Sequence, residues 1–128
     1  MVVDASVVST ALVETTGTAA QALARSSALA APGILDLEVI QTIRKKVQAG
    51  ALTATAGDEA VNRLKRLPIV RHPHAALVDR IWALRGNLTA YDASYVALAE
   101  RLRVSLLTAD SAFTTAPGIR CQVKFVKL

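Results

Sequence analysis

A chain of 128 residues holds one hydrophobic core and is too short for two, since domains most often contain about 100 to 150 residues, so 1–128 is read as a single domain. Apolar residues make up 52% of the chain and aromatics 4%, which asks for a core of Ala, Val, Leu and Ile, and no apolar run approaches the roughly 20 residues that cross a bilayer. The net charge of +5 favours a polyanionic partner, Asp4 stands where a signal peptide needs apolar residues, and a lone cysteine, Cys121, excludes an internal disulfide and fits a reducing cytoplasm.

Val2 and Val3 read as a short buried strand, with Ser6 capping a helix that begins at Val7 and Val8. Gly17 punctuates that helix, a second runs from about Thr18 to Arg25, and Leu29 to Pro32 make a second short strand. Pro32 and Gly33 open a long helix reaching about Gln48, with Leu37, Ile40, Ile43 and Val47 at helical spacing, and Gly50 ends it. Thr53 caps the next helix, which runs to about Leu67 and is stopped by Pro68; Ile69 and Val70 form a third strand. One helix is expected from about His74 to Leu84, ending at Gly86. Thr89 then caps a helix whose Tyr91, Tyr95, Leu98 and Leu102 are spaced for one buried face. Ser105 to Thr108 is the fourth strand and Cys121 to Val126 the last. Short strands separated by helices define an α/β fold, a short and mostly parallel central sheet with helices on both faces.

Two acids fall where strands end: Asp4 after the first and Asp110 after the fourth. Ligand sites in open parallel sheets form at the carboxyl ends of strands, near a reversal of strand order, so both acids are expected in one cleft, although each also suits ordinary turn or N-cap chemistry. Glu38 sits within Ile34 to Ile40, where a buried carboxylate needs a partner or a metal; the alternative is a solvated stripe shared with Gln41 and Lys45. Asp36 ranks lower because it complements the positive end of the helix dipole. Asp92 lies three residues after Thr89, in a capping-box position.

Four carboxylates drawn from four segments repel one another unless a cation neutralises them. A hard ion, Mg²⁺ or Mn²⁺, suits them, as one ion or as two. Such an ion cleaves phosphodiesters through an activated water, with no nucleophilic side chain. Asp4, Glu38, Asp92 and Asp110 are therefore the expected catalytic and metal-binding set, with Ser6 and Thr108 supporting them through their hydroxyls.

The basic residues are uneven. Before Gln41 there is only Arg25, whereas Arg44, Lys45 and Lys46 form one cluster and Arg63, Lys65, Arg66 and Arg71 another. Such clusters suit a solvated helix face as well as RNA phosphates; Arg44, Lys45 and Lys46 are the candidate RNA contacts. His72-Pro73-His74 lacks the third ligand of a zinc site. The glycines are too scattered for a phosphate loop. Cys121 reads as a buried strand cysteine, and Trp82, among Leu77, Ile81 and Leu84, as a packing residue rather than a base-stacking platform.

Val2-Val3-Asp4-Ala5-Ser6, Glu38-Val39, the run Tyr91-Asp92-Ala93-Ser94-Tyr95-Val96-Ala97-Leu98-Ala99-Glu100 and Leu106-Leu107-Thr108-Ala109-Asp110 stand in an order and separation that resemble the PIN-domain ribonuclease toxins of VapBC-type toxin-antitoxin pairs, over nearly the full chain. The resemblance implies a PIN-domain-like three-layer sandwich, divalent-metal-dependent endoribonuclease action on structured RNA, a homodimer, and a small VapB-like antitoxin whose C-terminal segment covers the acidic cleft. Val7, Val8, Leu12 and Val13 are the apolar residues of the first helix that would receive such a partner if they are not core. Many relatives carry another acid just after the position matched by Asp110. Here Ser111 and Ala112 follow, which bears on a second metal. The competing readings are a receiver-like phosphoacceptor domain, whose acids should lie at strand ends with a pair beside Asp4, and a catalytically silent PIN-fold binding module.

Overall fold

Val2 and Val3 are wholly shielded from solvent because their strand is the middle one. In the computed structural model, which describes residues 1–128, β1 (Val2–Val3) lies between β2 (Leu29–Pro32) and β4 (Leu106–Thr108). The edges are β3 (Ile69–His72), beside β2, and β5 (Val123–Phe125), beside β4. All the pairings are parallel, with Val2 in register with Ala30 on one side and Leu106 on the other. Every residue of the three inner strands is buried, as a parallel sheet covered on both faces requires. The edge strands expose Val70 and Phe125 and carry Arg71 and Lys124, charges of the kind that discourage edge-to-edge pairing.

Helices α1 (Ala5–Val13), α2 (Thr18–Ala24), α3 (Leu35–Gln48) and α4 (Ala54–Arg66) pack among themselves, with α1 against β4. Helices α5 (Val78–Ala83) and α6 (Ala90–Leu102) pack together, and α6 lies on β1, β2 and β4. This is the α/β sandwich read from the sequence. The chain runs outward from β1 through β2 to β3, then returns to the other side of β1 for β4 and β5. The reversal between β1 and β4 opens a crevice at the strands' carboxyl ends, which is where Asp4 and Asp110 emerge.

Several local expectations change. Helix α1 begins at Ala5 with Asp4 in the capping position, and no side chain caps it; the Ser6 hydroxyl is committed elsewhere. The buried stripe of α3 is Leu35, Val39 and Ile43, with Val47 half-buried, whereas Leu37 is 64% and Ile40 41% exposed. Both stripes are apolar, and helices α1 and α4 cover the one that carries Leu35, Val39 and Ile43. The segment after Pro73 is a 3-10 turn at Ala75–Leu77 followed by the short α5. Only Leu77 and Leu84, one at either end of it, are buried, so little packing holds the stretch between them in one regular helix. In α6, Tyr95 and Leu98 are buried but Tyr91 and Leu102 are exposed. Val7, Val8 and Leu12 belong to the core and present no surface to a partner. A four-residue helix, α7 (Ala112–Thr115), was not foreseen, and the last strand is shorter than expected.

Candidate active site

Asp4 leaves β1 almost fully enclosed, 5% exposed. Its Oδ2 accepts hydrogen bonds from Ser6 Oγ at 2.6 Å and Thr108 Oγ1 at 2.9 Å. Each of those hydroxyls also accepts a backbone N–H from the turn after β4, Ser6 Oγ from Ala109 and Thr108 Oγ1 from Asp110, both at 3.0 Å. The two hydroxyls thus join the ends of β1 and β4, each donating to Asp4 and accepting a backbone N–H. Asp110 is exposed, and its Oδ1 accepts the Ala112 N–H at 2.9 Å. Turn chemistry therefore occupies one of its oxygens and leaves the other for the cleft.

Glu38 projects from the first turns of α3 and is half-buried. Its Oε1 accepts the phenol of Tyr95 at 2.6 Å, and it forms no ion pair with Lys45, so the solvated-stripe reading of Glu38 fails. Asp36 points away to Arg71, which holds it through Nη2 at 2.8 Å and Nε at 3.2 Å. Asp92 stands in the first turn of α6, half-buried, its N–H donating to Thr89 Oγ1 at 3.2 Å.

The four acids share one open cleft of about 700 Å³, lined also by Ser6, Lys45 and Lys46 but not by Arg44. They feel one another. Burial raises the Asp4 carboxyl above its ordinary range despite the Ser6 and Thr108 hydrogen bonds that work against it. Burial also raises Glu38; Tyr95 opposes this, and the charges of Asp4 and Asp92 add to it. Asp92 is raised first by burial and then by the charges of Asp4 and Asp110. Tyr95 is driven far up by burial and by Glu38. The protein's ion pairs are Arg71–Asp36 and Arg80–Glu100, so none of the four has a basic partner.

Uncompensated carboxylate oxygens are the donor set of a hard divalent cation. No three His, Cys, Asp or Glu side chains close into a cage. The open arrangement suits one or two hydrated Mg²⁺ ions, each keeping several waters and taking one or two of the four carboxylates.

Sequence reasoning missed three features. Tyr95 looked like core alone, although a buried phenol in an apolar run calls for a hydrogen-bond partner. Trp82 is 66% exposed, with the Arg85 guanidinium 4.5 Å from its ring centre, because α5 has no buried face to hold it. Cys121 is half-buried and precedes β5 rather than lying in it.

Sheet order and acidic cleft agree with the PIN-domain class, whose family model matches residues 1–119. The chain is 40% identical over 126 residues to VapC ribonuclease Mb0985 of Mycobacterium bovis and to ribonuclease VapC9 of Mycobacterium tuberculosis, covering 98% of this chain and of each relative. It is 41% identical over 106 residues to ribonuclease VapC1 of Mycobacterium tuberculosis, covering 82% of this chain and 80% of that one. The crystal structure of VapBC2 from Rickettsia felis, bound to a DNA fragment from their promoter, matches with a TM-score of 0.69 at 14% identity over 98% of both chains, a likeness of fold. The chain belongs to the VapC family of PIN-domain proteins. A receiver-like domain does not fit, since Glu38 and Asp92 ride on helices and Ala5 and Ser6, not a second acid, follow Asp4.

Proposed function

We propose that this protein is a Mg²⁺- or Mn²⁺-dependent endoribonuclease, the toxin of a toxin-antitoxin pair, with Asp4, Glu38, Asp92 and Asp110 as its catalytic and metal-binding carboxylates. The observation that carries the reading is their convergence, from four segments, on one cleft without a basic partner. The ribonuclease names of the relatives support the substrate.

When bound, one or two such ions supply polarisation of a non-bridging phosphate oxygen and a more acidic attacking water. Water is the attacking group in this reading, and the serine and threonine hydroxyls of the cleft serve to order its walls. Ser6 donates to Asp4, Ser9 to the Ala5 carbonyl, Thr10 to the Ser6 carbonyl and Thr42 to the Glu38 carbonyl. Ser6 and Thr108 hold Asp4 in one orientation. Lys45 and Lys46 on the cleft wall, with Arg44 next to them in sequence, are the candidate RNA-phosphate contacts, so binding weakens with salt.

The partner is a small VapB-like antitoxin, for which the paired VapBC2 assembly of Rickettsia felis is the support. A basic side chain inserted among the carboxylates would replace the cation's charge and close the site. The exposed Leu37, Ile40, Val78, Trp82 and Tyr91 give the surface beside the cleft an apolar character that a second copy would cover, making a homodimer. No helix is long and apolar enough to cross a membrane, and the lone thiol suits a cytoplasmic site of action.

The test is cleavage of a purified total-RNA pool by wild type and Asp4→Asn, each with Mg²⁺, Mn²⁺ or chelator. Discrete fragments that need both metal and Asp4 are expected. Intact RNA under every condition, from folded protein free of antitoxin, would turn the reading to the silent binding module.

A further inference from the structure

Tyr95 is the largest side chain wholly shielded from solvent in the protein, and its phenol makes one hydrogen bond, to Glu38 Oε1 at 2.6 Å. Packing does not require that hydroxyl, since phenylalanine would fill the same space and bury no polar group. The bond spans from α6 to α3. Asp92 lies three residues before Tyr95, on the same face of α6, so one helix supplies one acid of the cleft and holds another. An untethered Glu38 has three side-chain torsions and two like charges, Asp4 and Asp92, acting on it; it would turn towards solvent. We infer that Tyr95 is a positioning residue that anchors Glu38 at Oε1 and so holds its carboxylate in the cleft, where it would help to hold a divalent cation, an inference that rests on the metal-dependent reading above. Groups that orient a ligand in this way typically govern metal affinity by 10- to 100-fold.

The experiment is a double-mutant cycle of Tyr95→Phe and Glu38→Gln, read as Mn²⁺ affinity by electron paramagnetic resonance at one pH, with circular dichroism to verify the fold. Tyr95→Phe is expected to bind Mn²⁺ about tenfold more weakly while keeping the wild-type spectrum, and excess Mn²⁺ is expected to restore its RNA cleavage. In the Glu38→Gln background the same change is expected to alter affinity by less than about twofold, because the group it positions is gone. Affinity of Tyr95→Phe equal to wild type overturns the inference and leaves the metal reading standing. An equal loss with and without Glu38 also overturns it, since Tyr95 would then act through the general packing of α6. Wild-type protein that binds no Mn²⁺ overturns the metal reading, and the inference with it.

Discussion

Asp4 is the acid most removed from water, and burial outweighs the two hydroxyls that bond it. An asparagine carbonyl accepts the same two hydrogen bonds without the charge. Asp4→Asn is therefore expected to abolish RNA cleavage while shifting stability by no more than about 1 kcal/mol, since relief of the buried charge is offset where the amide NH2 meets the Ala5 and Ser6 N–H groups that favour the carboxylate, checked by urea unfolding beside the cleavage assay. Thr108, wholly buried, donates to Asp4 and accepts from the Asp110 N–H. Thr108→Val leaves that N–H without its acceptor and is expected to cost about 2 kcal/mol, with loss of cleavage. Thr108→Ser keeps the hydroxyl and is expected to retain activity, losing about 1 kcal/mol for the missing methyl. The same denaturation series separates the two.

Among the elements, helix ends were the most legible part of the sequence because their chemistry is local. Thr53 and Thr89 both cap as read, accepting from Ala56 and Asp92, and Gly50 follows the end of α3 with a φ of +75°. The left-handed position after α6 is filled instead by Arg103, at φ 56°. Left-handed backbone costs a residue with a Cβ about 1 to 2 kcal/mol. Arg103→Gly is accordingly expected to stabilise the protein and Gly50→Ala to destabilise it, each by about 1 kcal/mol, as shifts in urea midpoint at constant slope. Less legible was anything decided by a neighbour distant in sequence. Periodicity marks two apolar stripes on α3 without saying which one α1 and α4 cover. The strand-end acids could be read because topology alone brings Asp4 and Asp110 together; the Tyr95–Glu38 bond, between residues 57 apart, could not. Helix α7 is four residues long, and Asp110-Ser111 reads equally as a turn.

Over the whole molecule the raised carboxyls set a pH trend. Asp4, Glu38 and Asp92 bind protons more tightly in the folded chain than in the unfolded one. The folded state therefore carries more protons in a window that opens near the ordinary carboxylate values, about pH 4, and extends up to the raised ones. Stability contributed by these three acids falls as pH rises through that window and returns on acidification. Melting temperatures in chelator should follow that slope, and saturating Mn²⁺ should raise them at neutral pH and flatten the trend.

The middle strand of the sheet is also the first to be synthesised, which gives the site a place in time. Val2 and Val3 pair with Leu106 and Leu107, and the Asp4 N–H donates to the Leu107 carbonyl at 2.9 Å. Domains fold as units, and here the unit closes only when β4 arrives. A ribosome carrying this chain holds an unassembled cleft until β4 has emerged, and a message broken upstream of the codon for Leu106 yields a product without the strand that closes the sheet beside Asp4 and without Asp110.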